Sequence, residues 1–472
     1  MSTAIVWFRR DLRLADHPAL SAAAKGHEHL IPLYIHAPHE DGRWPAGAAS
    51  RWWLHHSLSR LDAQLREHGN ALHLAQGNSL DVLRELIRRT GATAVYWSRQ
   101  YEPEAIARDS AIKAALREQG IDVHSFNASL WCEPWQIETR QQGPYRVFTP
   151  FWRSLRPQLE TPRPLPVPSS LRGIDVAGSM PLDALALLPR IRWDTGMQET
   201  WQPGEQGAQE WLDIFMDDAV SDYARARDLP ARHGTSRLSP HLHFGEISPR
   251  QIHRQLADRV ADTDARRRPD IEPYLRELGW REFAHHLLYH FPRTPIDNFN
   301  EQFDRFPWAR KSSKAIERWQ RGLTGIPLVD AGMRELWHTG WMHNRVRMIV
   351  ASFLCKNLRQ HWHHGAAWFW DTLVDADLAN NTMGWQWVAG SGADAAPYFR
   401  VFNPVTQAQK FDPEGHYLRR WLPELASAPL PLLHEPWKDA SLLQRSGYPA
   451  PMIDLGETRQ AALDAYRIMR NA

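Results

Sequence analysis

The sequence predicts two unlike halves, a doubly wound parallel α/β domain followed by an all-α domain, on three observations. Short apolar runs alternate with helical patterns over the first 130 residues, prolines then crowd together as periodicity fails, and from Gly207 onward helical patterns follow almost without interruption. The β-rich runs are Ala4 to Phe8, Leu30 to Ile35, Ala71 to Ala75, Ala94 to Trp97 and Val123 to Phe126, with helical patterns at His17 to Lys25, Ala49 to His68, Leu80 to Thr90 and Glu104 to Gln119. Strands separated by helices of this length pair in parallel, because the connection must cross back over the sheet. The first turn reads Arg9-Arg10-Asp11-Leu12-Arg13 where a dinucleotide fingerprint would have Gly-x-Gly-x-x-Gly. Its arginines are expected to form a solvated or interdomain salt-bridged turn and are assigned no ligand.

Pro157, Pro162, Pro164, Pro166 and Pro168 remove donors and fix the backbone, so the stretch from Trp131 to about Trp201 reads as a long surface linker. The expected boundaries are an α/β domain at 1–130, the linker at 131–200 and a helical domain at 201–472. Helical stretches in the last are expected at Gln209 to Ala224, Ser248 to Ala257, Tyr274 to Tyr289, Lys314 to Gln320, Asp330 to Trp337, Met342 to Leu358 and Ala366 to Val374.

A chain of 472 residues can bury two substantial cores. Its net charge of +2 is too small to announce nucleic acid by itself, so any phosphate binding must come from a local patch. Two distant cysteines, Cys132 and Cys355, make no disulfide framework and supply too few ligands for an iron–sulfur or structural zinc site; no metal is expected, and a reducing cytoplasm is. No apolar run reaches the roughly 18 residues of a membrane span, and the N-terminus enters a strand directly, so a soluble cytoplasmic monomer with no membrane partner is expected. The 23 tryptophans exceed what core packing asks for, and some are expected to carry chemistry.

The densest chemistry lies between Gly340 and Pro404. Asp375-Ala-Asp-Leu-Ala-Asn-Asn-Thr-Met-Gly-Trp-Gln-Trp387 puts two carboxylates, two adjacent asparagines and two tryptophans beside apolar helices, where each polar group needs a partner. Any one of them could be a satisfied knot between helices. With the arginines of Gly340-Trp-Met-His-Asn-Arg-Val-Arg347, the cluster suits a flat heterocycle having both imide and ring-nitrogen sites, as a flavin has. Gly234-Thr235-Ser236-Arg237-Leu238-Ser239 could be a capping loop or a phosphate loop, since both use hydroxyls and free N–H groups before a helix.

These motifs, with Val6-Trp-Phe-Arg-Arg-Asp-Leu-Arg13, Leu278-Gly-Trp-Arg-Glu-Phe283 and Pro397-Tyr-Phe-Arg-Val-Phe-Asn-Pro404, resemble the DNA photolyase and cryptochrome family nearly from end to end, and most closely a bacterial cyclobutane pyrimidine dimer photolyase. The resemblance implies a U-shaped FAD, active when reduced, with its pyrophosphate at Thr235, Ser236, Arg237, Leu238 and Ser239 and its adenine side near Tyr223. It places Arg281, Asn344, Arg347, Asp375, Asp377 and Asn381 at the flavin. An aspartate beside flavin N5 favours a protonated radical, whereas the amide of Asn381 tolerates the reduced anion. Glu277, Trp280, Met348 and Trp387 match the lesion pocket, in which the two indoles stack on the dimer and Glu277 bonds a pyrimidine carbonyl. Arg227, Arg345, Arg400, Asn344 and Asn403 match the DNA-facing rim, and the loop from Arg310 to Lys314 could extend it. Trp385, Trp362 and Trp308 match an electron-hopping chain, with Trp337, Trp368 and Trp370 as rivals for its outer members.

The implied activity is light-driven splitting of cyclobutane pyrimidine dimers in ultraviolet-damaged DNA by a carbon–carbon lyase. The (6-4) enzymes carry histidine where this chain has Asn344 and Met348, which disfavours that substrate. A cryptochrome-type signalling photoreceptor is the rival from another class, and a light-independent flavoprotein would leave the lesion pocket unexplained. An antenna chromophore is expected, but Tyr101-Glu-Pro-Glu-Ala105 departs from the Asn-Glu pair of folate-binding members, so methenyltetrahydrofolate in a different pose, a deazaflavin, a second flavin and an empty site all stay open.

Overall fold

The computed structural model describes residues 2–159, 162–264, 268–395 and 399–471. Pro397 and Tyr398 of the last motif lie outside the described residues.

Five parallel strands, β1 (Thr3–Phe8), β2 (His29–His36), β3 (His73–Gln76), β4 (Ala94–Ser98) and β5 (Asp122–Phe126), stand in the order β3-β2-β1-β4-β5. All of β1 is buried, because α1 (Pro18–Gly26), α2 (Ala48–Glu67), α3 (Ser79–Thr90) and α4 (Pro103–Glu118) cover the sheet on both faces. Ile5, Trp7 and Val95 point into one layer, while Val6, Phe8 and Tyr96 point into the other, as alternation along a strand requires. The winding reverses between β1 and β4, which opens a crevice beyond their carboxyl ends. A cavity of about 330 Å³ lies there, lined by Arg9, Arg10, Tyr34, Asp41 and Glu102 on the sheet side and Trp370 from the helical half.

Among the arginines of the first turn, Arg13 reaches across to the helical half. Arg9 pairs with Asp109, Arg10 with Glu102, and Arg13, wholly buried, donates to the carbonyls of Gly245, Asp16 and Ala128. The turn is salt-bridged, but its ion pairs lie within the α/β half rather than between the halves.

The proline-rich stretch differs from a surface linker, because aromatic and aliphatic side chains between its prolines reach two cores. Within it α5 (Phe148–Leu155) buries Phe148, Phe151, Trp152 and Leu155 in the core of the helical half. Leu171, Leu185, Leu187, Met197 and Trp201 join the core under the sheet. Beyond it, the helices that bear on function are α6 (Glu272–His290), α7 (Asn344–Ser352), α8 (Trp362–Thr372) and α9 (Leu378–Ala389); α6, α7 and α8 all pack on α9. The expected helix from Met342 to Leu358 is α7 followed by a widened turn at Phe353–Asn357.

Candidate flavin and lesion site

The centre is the wall between α7 and α9. Arg347, on the second turn of α7, donates from Nη2 to both oxygens of Asp375 at 3.1 and 2.8 Å and from Nε to the carbonyl of Met342 at 2.7 Å. Asp375 is 9% exposed as a residue, and a carboxylate so placed needs this bidentate partner. Asn381, one turn into α9, donates through Nδ2 to the carbonyl of Ala366 at 3.0 Å, which fixes its amide against α8. Among the described residues Asn381 Oδ1 and Arg347 Nη1 take no protein partner. The wall thus offers one acceptor and one cationic donor to a planar ring, a set that fits flavin edge groups.

The phosphate loop lies beside this wall. Trp341 donates from Nε1 to Ser239 Oγ at 3.3 Å, and its ring lies 5.9 Å from the Arg347 guanidinium. Tyr274 donates from Oη to Ser236 Oγ at 2.9 Å, and that hydroxyl accepts from the N–H of Leu238. Leu238 is fully buried, while Thr235 is half-buried and Ser239 exposed. Arg237, at φ 54°, sends its guanidinium among the rings of Trp341, Trp211 and Trp201 at 4.8, 5.6 and 5.8 Å. That side chain is held by indoles, and burial lowers its pKa. The helix after Ser239 is only five residues long, so the loop's hydroxyls and backbone matter more than a helix dipole. Tyr223 is buried edge-on against Tyr274, its ring centroid 5.2 Å away, with Arg227 5.5 Å from its face.

Asp377 and Arg281 take other partners. Asp377 caps α9 by accepting from the N–H of Asn380 at 2.8 Å, and His285 and His243 stand 3.4 and 3.7 Å from its other oxygen. Burial alone would raise its pKa, but the histidines hold it well below the ordinary carboxylate value. Arg281 donates to the carbonyl of Ser129 at 2.8 Å and lines a small cleft with Arg10, Glu102, His285 and Asp377. These side chains form a polar knot between the two halves.

In the lesion region, Trp280 stacks on Phe148 of α5 with ring centroids 3.6 Å apart. Gly279 makes room for Trp152 of α5, since a Cβ there would stand 2.4 Å from its ring. Glu277 forms a close ion pair with Arg227, and Arg345 one with Asp228 at 2.7 Å, so two rim arginines already hold carboxylates. Arg345 also touches Met348 Sδ at 3.9 Å, and Trp387 is half-buried against the same core. Asn344, at the start of α7, and Arg400 are exposed. Asn403 caps the helix from Pro404 by accepting from Val405 and Thr406 N–H groups.

Trp385 is buried on α9 in a slot that exists because residue 365 is glycine; a Cβ there would come within 1.9 Å of the indole. Trp362 is buried at the start of α8, and Trp308 is half-buried. The ring of His361 lies 5.8 Å from Trp362 and 4.9 Å from Trp308, bridging the outer pair. Trp337 is 54% exposed and stacks on Trp368 at 6.0 Å, while Trp370 packs on Trp44 of the α/β half. The sequence reading overlooked Phe148, hidden among prolines, and Asn298, which accepts from Trp362 Nε1 at 3.0 Å within a turn carrying no motif.

Two family models match the chain: the DNA photolyase model over residues 4–169 and the FAD-binding domain of DNA photolyase over residues 274–468. The deoxyribodipyrimidine photo-lyase of Agrobacterium fabrum is 47% identical over 99% of this chain and 98% of its own length. Cryptochrome-2 of Arabidopsis thaliana is 38% identical over 99% of this chain and 79% of its own length. A bacterial class III photolyase from Agrobacterium tumefaciens superposes with a TM-score of 0.94 at 45% identity, covering 100% of this chain and 98% of that one. The chain belongs to the DNA photolyase and cryptochrome family, and its two halves are the photolyase α/β domain and the helical FAD-binding domain.

Proposed function

We infer that this chain is a deoxyribodipyrimidine photo-lyase that uses blue or near-ultraviolet light to split cyclobutane pyrimidine dimers in damaged DNA. The observation that carries this reading is the wall of Arg347, Asp375 and Asn381 beside a lesion pocket with Glu277, Trp280 and Trp387, in a chain 47% identical to a named photo-lyase and 38% identical to a cryptochrome. FAD, when bound and reduced, supplies the light-absorbing electron donor. Arg347 and Asn381 face its ring system, the loop from Thr235 to Ser239 with Tyr223 takes its phosphates and adenine side, and Asp375 keeps Arg347 oriented. Arg281 and Asp377 act at the flavin through the interdomain knot.

For the lesion, Trp280 is held rigid by Phe148 and offers its other face for stacking. Glu277 must exchange Arg227 for a pyrimidine carbonyl, which frees that arginine for the DNA backbone. The dimer leaves the duplex to reach this pocket, and flipping costs least where pairing is already damaged. Arg345, Arg400, Asn344 and Asn403 complete the rim, and Met348 lines the floor.

The cavity between β1, β2 and Trp370 is the place for an antenna chromophore, its arginines suited to an anionic or phosphate-bearing one. An archaeal photolyase from Sulfolobus tokodaii, 30% identical with a TM-score of 0.85 over 99% of this chain and 100% of that one, is described with two FAD molecules, with the implication of a novel light-harvesting cofactor. No described helix is long and apolar enough to cross a membrane. Two unpaired cysteines support a cytoplasmic site of action, and we take the working unit to be a monomer.

The test irradiates an oligonucleotide bearing one cyclobutane thymine dimer with the reduced protein and follows recovery of thymine absorbance, with a (6-4) photoproduct oligonucleotide in parallel. Recovery of the dimer alone is expected. No recovery of either would move the protein to the photoreceptors, and recovery of the (6-4) substrate alone would overturn the reading of Asn344 and Met348.

A further inference from the structure

Trp362 sits between Trp385 and Trp308 in the proposed hopping line, and its indole N–H environment differs from that of its outer neighbour. Trp362 Nε1 donates to Asn298 Oδ1 at 3.0 Å, and Asn298 Nδ2 donates in turn to Asp304 Oδ1 at 2.7 Å. One amide orientation satisfies both contacts, so the acceptor is locked toward the indole. The turn that presents it is itself clamped. Gln386, buried next to Trp385 on α9, donates to the carbonyls of Thr294 and Asp297 at 2.7 and 2.9 Å and accepts from the N–H of Phe299 at 2.8 Å. The helix that carries the inner tryptophan therefore also fixes the group facing the middle one. By contrast, Trp308 Nε1 is buried with no hydrogen-bond partner among the described residues.

We propose that Asn298, held by Asp304 and Gln386, is a positioning residue for electron hopping: it keeps the oxidised Trp362 ring protonated and cationic, so that the hole passes on to Trp308. This rests on the reading of Trp385, Trp362 and Trp308 as the hopping line and deepens it.

Taking one electron from Trp362 makes its N–H strongly acidic. A carboxamide oxygen stabilises that proton by hydrogen bonding but is too weak a base to remove it, and the Asp304 carboxylate on the far side polarises the amide in the favourable sense. Asp304 is exposed, so solvent weakens its share. The histidines beside Trp362 do not compete for this proton, because Nε1 is already engaged by Asn298. The electron that refills Trp362 comes from Trp308, no proton leaves Trp362, and a thiol reductant returns one electron to Trp308. Were a base to take the N–H proton, the neutral Trp362 radical would be a poorer oxidant and the hole would stop there.

The test compares Asn298→Leu, Asn298→Asp and Asp304→Asn in the FAD-loaded enzyme. In Asn298→Leu, stable photoreduction with thiol should fall by about fivefold or more, the factor carried by an ordinary hydrogen bond, while quenching of flavin fluorescence stays at the wild-type level. Asn298→Asp should show the neutral indole radical in place of the radical cation in flash absorption, with a solvent deuterium isotope effect on its formation. Asp304→Asn should lose about twofold, in keeping with a screened charge. In the dark protein, the Trp362 indole N–H resonance should move upfield in Asn298→Leu and stay nearly in place in Asp304→Asn. Wild-type yield and an unchanged radical spectrum in both Asn298 variants would overturn the proposal, and so would a loss of fluorescence quenching, because the effect would then lie in displacement of Trp385. Trp362→Phe is the separate control: normal photoreduction there would sink the hopping line itself.

Discussion

Asp375 and Asp377 stand two residues apart, yet they belong to regions governed by different physics. Around Asp375 the groups are paired once and left with capacity to spare: Arg347 holds the carboxylate, and Asn381 uses one side of its amide. Around Asp377 the hydrogen-bonding capacity is spent on the fold, through the α9 cap, two histidines and the neighbouring Arg10–Glu102 pair. The contrast teaches that a polar cluster suits a ligand wall where a pair leaves donors and acceptors free, and acts as a fastener where its charges are matched to one another across two elements.

The largest effect expected from this contrast is on the ligand wall. Arg347→Ala should weaken FAD binding by about tenfold or more, the loss of a charge-assisted contact, measured by flavin titration of FAD-depleted protein, with a cooperative unfolding transition retained. Full FAD occupancy in that variant would break the distinction. Asp377→Ala should do the reverse. It removes a cap and leaves two buried histidines without their carboxylate, so a stability loss of roughly 3 kcal/mol is expected in denaturant unfolding. A stable Asp377→Ala that fails to hold FAD would move Asp377 into the ligand wall.

Next in size is a pH dependence. Asp377 is held below its ordinary value of 3.8, so its contribution is present above that pH and is lost as pH falls. His285 is raised above 6.5 because, although burial opposes its charge, Asp377 supports it; its contribution is complete below 6.5 and is lost as pH rises through the folded value. The contribution of this carboxylate–imidazole pair should therefore plateau between these limits and decline on both sides, by at most about 1.4 kcal/mol per pH unit for each proton, while His243, whose pKa burial lowers, adds a separate loss as pH falls below 6.5. Asp377→Asn should flatten both shoulders, and unchanged shoulders would place the titration elsewhere.

The smallest stability effect belongs to the lesion pocket. The Glu277–Arg227 pair is only partly buried, so Glu277→Ala should cost less than about 1 kcal/mol of stability. It should lower repair per photon more than lesion affinity, since a bond to a carbonyl strengthens as charge develops there. Trp280→Ala should instead weaken lesion binding by roughly 1 to 3 kcal/mol. Equal effects of the two changes on binding and turnover would reverse these roles.

Much of the architecture was legible because periodicity is a local property. The five strands follow from apolar runs, and α6 and α8 lie close to where the patterns put them, while β3 begins two residues later than its run predicts and α9 forms where no helical pattern was read. The pairing of Asp375 with Arg347 is what the family resemblance implies, but the partners of Asp377 were not legible, because a carboxylate two positions along reads alike whether it meets an arginine or a pair of histidines 92 and 134 residues away in the chain. The same holds for Arg237. Its place in a phosphate-loop pattern said nothing of Trp201 and Trp211, which draw the guanidinium aside. Asn298 carried no signal, since one amide in a polar turn is ordinary until its neighbours are known.

The seating of α5 has a consequence for how such a protein can be taken apart. Phe148 and Trp152 close one side of the pocket-forming helix α6, against Trp280 and Gly279, while residues from Leu171 to Trp201 close the core beneath the sheet. A fragment beginning at residue 201 would carry the motifs assigned above to the flavin but would leave the back of Trp280 open to water. The helical half is therefore not a cassette that can be moved onto another sheet domain by recombination at its proline-rich border; the transferable unit must bring α5 with it.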